Sequence, residues 1–441
     1  MSAKPAESPT DRVAYVNARL LDPASGLDAP GALLTEGREI ADLGPALFAD
    51  GVPDGIAVVD CEGHCLAPGL VDMRAHLREP GAEHKETLAT AGRAAAAGGV
   101  TSIVCMPNTD PVIDQIALIE FIARRARETS VVKIYPAAAI TRGLGGEELT
   151  EMAMLLEAGA VAFTDADRAV ADSRVMLRAL SYARAFDALI MQHPEDAMLT
   201  RGGDMNDGEL ATRLGLTGIP NAAEPIIIER DLRLLAMTGG RYHVAHLSTA
   251  DAVAVVRGAK DRGLNVTCAV APHHFALNDT AADDYRTFAK VSPPLRAEDD
   301  RRAMVDGLAN GTIDVICSDH APHDQDSKRL PFAQAANGIV GLETMLPLAL
   351  EMVHNGDVAL LDLLRAMTVT PADLIGLPAG RLAAGAPADL VLFDLDRPWR
   401  IDVDALRSKS KNSPFDGRPV QGRVLRTVVR GNTVFEFDAR D

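Results

Sequence analysis

Metal-capable side chains recur along this chain in one setting, just after a short apolar run. His76 and Arg78 follow "GLVDM", and Asn108 lies in "CMPNTDP". Asp165 lies in "AFTDAD", His193 in "MQHPED" and His246 in "HVAHLST". His273 and His274 lie in "APHH"; Asp319, His320 and His323 lie in "CSDHAPH". Imidazole nitrogens and carboxylate oxygens are the ligands of a hydrolytic zinc ion, which keeps one position open for water. Any one of these histidines alone reads better as a hydrogen-bonded structural residue. His84 and His354 have no motif around them and are expected at the surface. His243 lies two positions before a strand end, which places it on the barrel exterior or in a packed layer. What points to chemistry is the recurrence of the same residue types at the ends of several strands.

Such positions need a scaffold that gathers them. From about Leu66 to Pro378, β-rich runs alternate with alanine-rich helical stretches. The pattern predicts strands at Gly69–Met73, Ser102–Met106, Val131–Ala137, Ala160–Thr164, Leu189–Gln192, Tyr242–Ala245, Asn265–Val270 and Ile313–Cys317. Helices are predicted between them, among them Thr87–Ala97, Ile116–Glu128 and Ser173–Phe186. This alternation predicts an α/β fold, a parallel barrel of eight βα units over residues 67–378. In such a barrel the chemistry lies at the C-terminal ends of the strands, where the residues above fall. Both chain ends read instead as strand-and-turn texture, with a C-terminal hairpin turning at Gly431-Asn432. Residues 1–66 and 379–441 are expected to join into one small β-sandwich beside the barrel.

Composition sets the outer limits. The chain has 441 residues, 47% apolar and 24% charged, the balance of a globular protein with a large core. Its net charge of −18 argues against non-specific nucleic-acid binding. No apolar run is long enough for a membrane-spanning helix. Met1 to Arg12 is polar, contains Pro5 and Pro9, and lacks the texture of a secretion signal. The five cysteines are scattered and read as reduced thiols of a cytoplasmic protein, not as a structural zinc site.

The segments "APGLVDMRAHLREPG", "MPNT", "GLTGIPNAAE", "HVAHLST", "PHHFAL", "VSPPLR", "ICSDHAPH" and "SKSKNSPFDG" resemble those of the dihydroorotases, in the class I branch of the amidohydrolase superfamily. The resemblance runs from about Leu20 to Phe435. It implies a zinc-dependent barrel that interconverts N-carbamoyl-L-aspartate and L-dihydroorotate in pyrimidine biosynthesis. In that family a metal-bound hydroxide attacks the ring amide and an aspartate moves the proton. Carried over by motif, that aspartate is Asp319. The matching metal ligands are His76, His193, His246 and Asp319. Arg78, Asn108 and His323 match the positions that hold the substrate carboxylate, for which a guanidinium fork is suited. The resemblance also implies a homo-oligomer.

Three positions depart from the family pattern. The expected His-x-His at the first strand reads Arg74-Ala75-His76. A guanidinium stays protonated and offers no lone pair to zinc. After the fourth strand the second aspartate of the pattern, a metal ligand, is Ala166. The asparagine before "PPLR" is Ser292. Losing an acid and gaining a cation makes the site more positive, and an unscreened like charge costs about 4 kcal/mol at intermediate dielectric. A full binuclear centre is therefore not expected. Either one zinc is held by His193, His246 and Asp319 with Arg74 turned aside, or Arg74 fills the empty place and no zinc binds. Asp165 or Asp167 swinging in for Ala166 is a further rescue. No lysine stands at the position where the family carries a carboxylated one. Three functions compete: a dihydroorotase with a reduced metal site, a catalytically silent subunit that assembles with aspartate transcarbamoylase, and a weaker hydantoinase- or allantoinase-like activity.

Overall fold

The computed structural model describes residues 12–438. The reading of the leading segment falls almost wholly outside them. Two groups of parallel strands make the barrel. The first holds Leu70–Ala75, Val100–Cys105 and Lys133–Pro136. The second holds Leu189–Gln192, Arg241–Val244, Val266–Val270 and Val315–Ile316. Phe163 joins them by pairing in parallel with Ala138 on one side and Ile190 on the other. Ala75 pairs with His320 and closes the ring.

The fourth stave is thus shorter than the predicted Ala160–Thr164. Gly159 before it and Ala166 after it both take left-handed backbone, with φ of +113° and +55°. Only Phe163 is bridged on both sides, while the backbone from Val161 to Thr164 is hydrogen-bonded to the neighbouring strands. The other predicted strands are present with ends shifted by a residue or a few, and Leu189–Gln192 is unshifted.

Every residue of the first two barrel strands is buried. That is the signature of a parallel sheet covered on both sides. Val71, Met73, Val104, Ala162, Met191 and Val315 belong to one apolar cluster. The alanine-rich helices pack outside. Leu88–Ala97 begins at Thr87, whose hydroxyl accepts from the backbone of Thr90 while the Thr90 side chain answers to the Thr87 N–H. Ser173–Arg184 begins at Asp172, which accepts from the backbone of Arg174 and Val175.

The two chain ends do meet. Cys65–Pro68 pairs in parallel with Arg12–Asp22 and antiparallel with Leu390–Arg400. Ladder bonds then run through eight strands contributed by both ends, around a small core that includes Tyr15, Leu20, Leu66 and Leu390. The C-terminal hairpin pairs Val429 with Asn432, so its turn is Arg430-Gly431, one residue earlier than predicted. Both turn residues have positive φ, +50° and +77°, as a two-residue hairpin turn demands. All five cysteines are free and buried. Among the described residues no helix is long and apolar enough to cross a membrane.

Candidate active site at the barrel mouth

The sequence-predicted ligands converge. His193 Nδ1 lies 3.1 Å from His246 Nε2, and His246 Nδ1 lies 3.7 Å from Asp319 Oδ2. His76 Nε2 lies 3.3 Å from Asp167 Oδ1. Between Asp319 and Asp167 sits the guanidinium of Arg74. Its Nε donates to Asp319 Oδ1 at 2.7 Å and its Nη2 to Asp167 Oδ1 at 2.7 Å. Its Nη1 donates to the carbonyl of Ala166 at 3.3 Å. The Arg74 side chain is 3% exposed. Burial works against its charge, but Asp319 and Asp167 outweigh burial and hold it above its ordinary value.

The fourth-strand loop settles which acid reaches in. Asp165 turns away and accepts from the backbone N–H of Thr141 at 2.9 Å and from the Thr141 hydroxyl. Asp167, half exposed, takes the inward place. Burial pushes its carboxyl up, yet His76 and Arg74 hold it well below the usual carboxylate range. Ala166 supplies only its carbonyl. Arg78, Ala166 and Asp319 are all non-glycine residues with left-handed backbone, at φ of +62°, +55° and +46°. Strain of this kind gathers where a fold must aim side chains into a site.

The remaining contacts fix the histidines. His76 Nδ1 is 2.8 Å from Asn108 Oδ1, and Asn108 Nδ2 donates to Asp167 Oδ2 at 3.0 Å. His193 Nε2 is 3.0 Å from Glu195 Oε2, which also accepts from Ser292 Oγ at 2.5 Å. Sequence reading left Glu195 unassigned; its place two residues after His193 in "HPED" was the available signal. It also left Asp72 unassigned. That fully buried acid accepts from the Ser318 backbone N–H at 2.9 Å and from the Ser318 hydroxyl, tying the first strand to the eighth. Burial pushes Asp72 up to about 6.

Burial pushes His246 well below the ordinary imidazole range, with Arg74 adding to it. His273 is pushed down to about 4 by burial and lies 3.8 Å from Asp319. His274 is buried beside it, its ring centre 4.4 Å from that of His273. Arg78 and His323 stand together, Nη2 to Nε2 at 3.2 Å. Burial pushes His323 down to about 3, with Arg78 and Lys85 adding to it. A neutral ring with its lone pair on Nε2 accepts from Arg78. His320 points elsewhere: its Nδ1 accepts from the Gly341 N–H at 3.1 Å and its Nε2 lies 3.5 Å from Glu86. His243 is buried in a packed layer, its Nδ1 2.8 Å from Thr267 Oγ1. His84 is exposed, whereas His354 is half-buried with Nε2 3.1 Å from the Leu395 carbonyl, so its expected surface position is corrected. A cavity of about 720 Å³ opens beside this cluster and is lined by Asp167, Arg168, His193, Glu195 and Ser292.

A metal centre needs three or more donors around one open point. Among the described residues no three His, Cys, Asp or Glu side chains are grouped in that way. The nitrogens of His76 and His193 lie against other side chains, and the oxygens of Asp319 face Arg74 and the surrounding histidines.

Comparison with known proteins gives the family and the fold. The family described as dihydro-orotase-like matches residues 63–252, and an amidohydrolase family matches residues 310–435. A dihydroorotase of Anaplasma phagocytophilum is 51% identical over 97% of this chain and 96% of its own. One from Pelobacter propionicus is 47% identical over 95% of this chain and 98% of its own. Among solved structures, the L-hydantoinase (dihydropyrimidinase) of Arthrobacter aurescens superposes with a TM-score of 0.87 at 27% identity, over 96% of each chain. With near-full-length relatives at such identity, the chain belongs to the dihydroorotase family of the amidohydrolase superfamily.

Proposed function

We propose that this chain is a dihydroorotase-family protein in which an internal guanidinium stands where the family keeps its metal. It keeps the barrel mouth and its recognition of a carboxylate, and it does not hydrolyse or close a cyclic amide by metal-activated water. The observation that carries this reading is Arg74, bonded at once to Asp319 and Asp167. Asp319, meant for metal chemistry, and Asp167, a candidate to replace the lost acid, are thereby used to neutralise a cation. A zinc ion brought to the same place would meet that cation at close range.

The carboxylate-binding side is intact. Arg78 and His323 remain paired, and Asn108 holds His76 and Asp167 in register. N-carbamoyl-L-aspartate and L-dihydroorotate are the small molecules this side suits, which supports a role in pyrimidine biosynthesis in a protein read from its sequence as cytoplasmic. A silent chain of this family has the role the resemblance implies, assembly with an aspartate transcarbamoylase, and itself forms a homo-oligomer.

A second reading keeps activity. The retention of Arg78, Asn108, His323 and Asp319 together favours it. It requires Arg74 to swing out, breaking both 2.7 Å contacts, so that one zinc can bind. One set of measurements separates the two. The purified protein is analysed for zinc and assayed for carbamoyl-aspartate cyclisation with and without added metal. Absent zinc and absent turnover, with a transcarbamoylase co-purifying, support the silent reading. Turnover that disappears in Asp319→Ala overturns it.

A further inference from the structure

A second cavity, of about 310 Å³, lies away from the barrel mouth, between a helix of the barrel layer and the C-terminal strands. Glu343 and Pro347 line one side; Arg397, Trp399, Arg423 and Phe437 line the other. Arg423 is its centre. The guanidinium carbon lies 4.0 Å from the centre of the Trp399 ring and 4.7 Å from that of Phe437. The guanidinium carbon of Arg397 lies 4.9 Å from the same Phe437 centre. Two cations therefore share one aromatic ring.

Neither guanidinium has a hydrogen bond or an ion pair among the described residues. Three of the acids nearby have hydrogen-bond partners elsewhere. Glu343 accepts from the backbone N–H of Arg407 at 2.7 Å and of Ser408 at 3.0 Å. Glu436 accepts from Arg426 at 2.5 Å. Asp402 accepts from the Asp404 N–H at 3.0 Å. Glu343, Glu436 and Asp402, three of the acids lining the cavity, thus spend their hydrogen bonds on other partners. Burial lowers Arg423 from its ordinary value, Glu343 opposes that, and Arg397 and Arg407 lower it further. The pair is held together by stacking and set apart by charge.

We propose that this cavity binds a phosphate-bearing small molecule through Arg423 and Arg397. Stacking uses the face of a guanidinium and leaves its in-plane N–H donors free. Those donors form a fork that matches the oxygens of a phosphate. A dianion with three terminal oxygens serves two forks and removes the repulsion between them. The cavity lies at the small end of the usual range for small-molecule sites, about 300–1,000 Å³.

The chain contains a single tryptophan, Trp399, so intrinsic emission reports directly from this cavity. The full-length protein is titrated with inorganic phosphate and with adenosine monophosphate, at constant ionic strength, beside a chloride control. A saturable change in emission is expected with phosphate groups and not with chloride. Arg423→Gln and Arg397→Gln are each expected to weaken binding tenfold or more. Arg397→Gln leaves the Arg423–Trp399 stack in place and so separates loss of binding from loss of the reporter. Tighter binding of the nucleotide identifies a phosphate ester as the ligand; equal binding identifies free phosphate. No saturable change, the same change with chloride, or unaltered affinity in Arg397→Gln overturns the proposal.

Discussion

Replacing Arg74 by alanine is the sharpest probe of the barrel mouth. The substitution leaves Asp319 and Asp167 without their shared cation. Asp319 is 8% exposed, so its charge is left almost wholly buried. Breaking a buried pair by removing one partner costs about 3–5 kcal/mol. Asp167 is 49% exposed, and solvent screening reduces its share to about 0–1 kcal/mol. The single variant is therefore expected to lose about 3–5 kcal/mol, nearly all of it through Asp319. Arg74→Ala combined with Asp319→Asn removes the stranded charge as well. That double variant is expected to recover at least about 1–3 kcal/mol of the loss, the penalty of one unsatisfied buried group. Equilibrium unfolding in urea at neutral pH, on wild type, both single variants and the double, gives the coupling directly. If Arg74→Ala unfolds within about 0.5 kcal/mol of wild type, like an ordinary surface substitution, the guanidinium is not what balances these acids.

Three further outcomes follow from the same contacts. Arg74→His rebuilds the family's His-x-His and frees Asp319, so it is expected to take up stoichiometric zinc where wild type does not; elemental analysis after dialysis checks this, and a chelator is expected to leave the wild-type melting temperature unmoved. Lys328 is fully buried, and burial, then Lys290, push its ammonium down to about 7. Between that value and the unfolded value of about 10.4 the unfolded chain binds more protons, so this residue makes stability rise with pH over that window. Lys328→Met is expected to flatten the rise relative to wild type in unfolding experiments at pH 7 and above. Gly98 ends the first barrel helix, and a methyl group there would strike the backbone carbonyl of Leu342. Gly98→Ala is expected to cost about 1–3 kcal/mol, as overpacking against a rigid neighbour does, with unfolding in urea as the readout.

Much of the fold could be read from the sequence, and the exceptions have physical causes. Leu189–Gln192 stands out as an apolar run closed by Gln192 and followed by His193, and the structure gives it those bounds. The fourth stave lies where its apolar residues place it, but its pairing reduces to a bridge at Phe163, which composition does not show. The hairpin turn is displaced because Arg430, a residue with no turn preference, takes the left-handed place ahead of Gly431. At the site, the chemical misfit of Arg74 is plain from its residue type. The partner it chooses is not, since Asp165 and Asp167 are equal candidates on paper. What decides between them is Thr141, far away in sequence, which captures Asp165 and leaves Asp167 to face inward. Glu195 had a signal in its place two residues after His193, but its second contact, with Ser292, is 97 positions away.

The pairing of Cys65–Pro68 with Leu390–Arg400 has a consequence for how the molecule is made. A ribosome releases the N-terminal strands hundreds of residues before it makes the strand that flanks them. Until then their open edge is available to any other extended chain. The barrel is threaded between two halves of one clasp, and the clasp shuts only after the whole barrel has been made. Loss of the strands from Leu390 onward would therefore injure the strand at Arg12–Asp22 as much as the C-terminal hairpin itself.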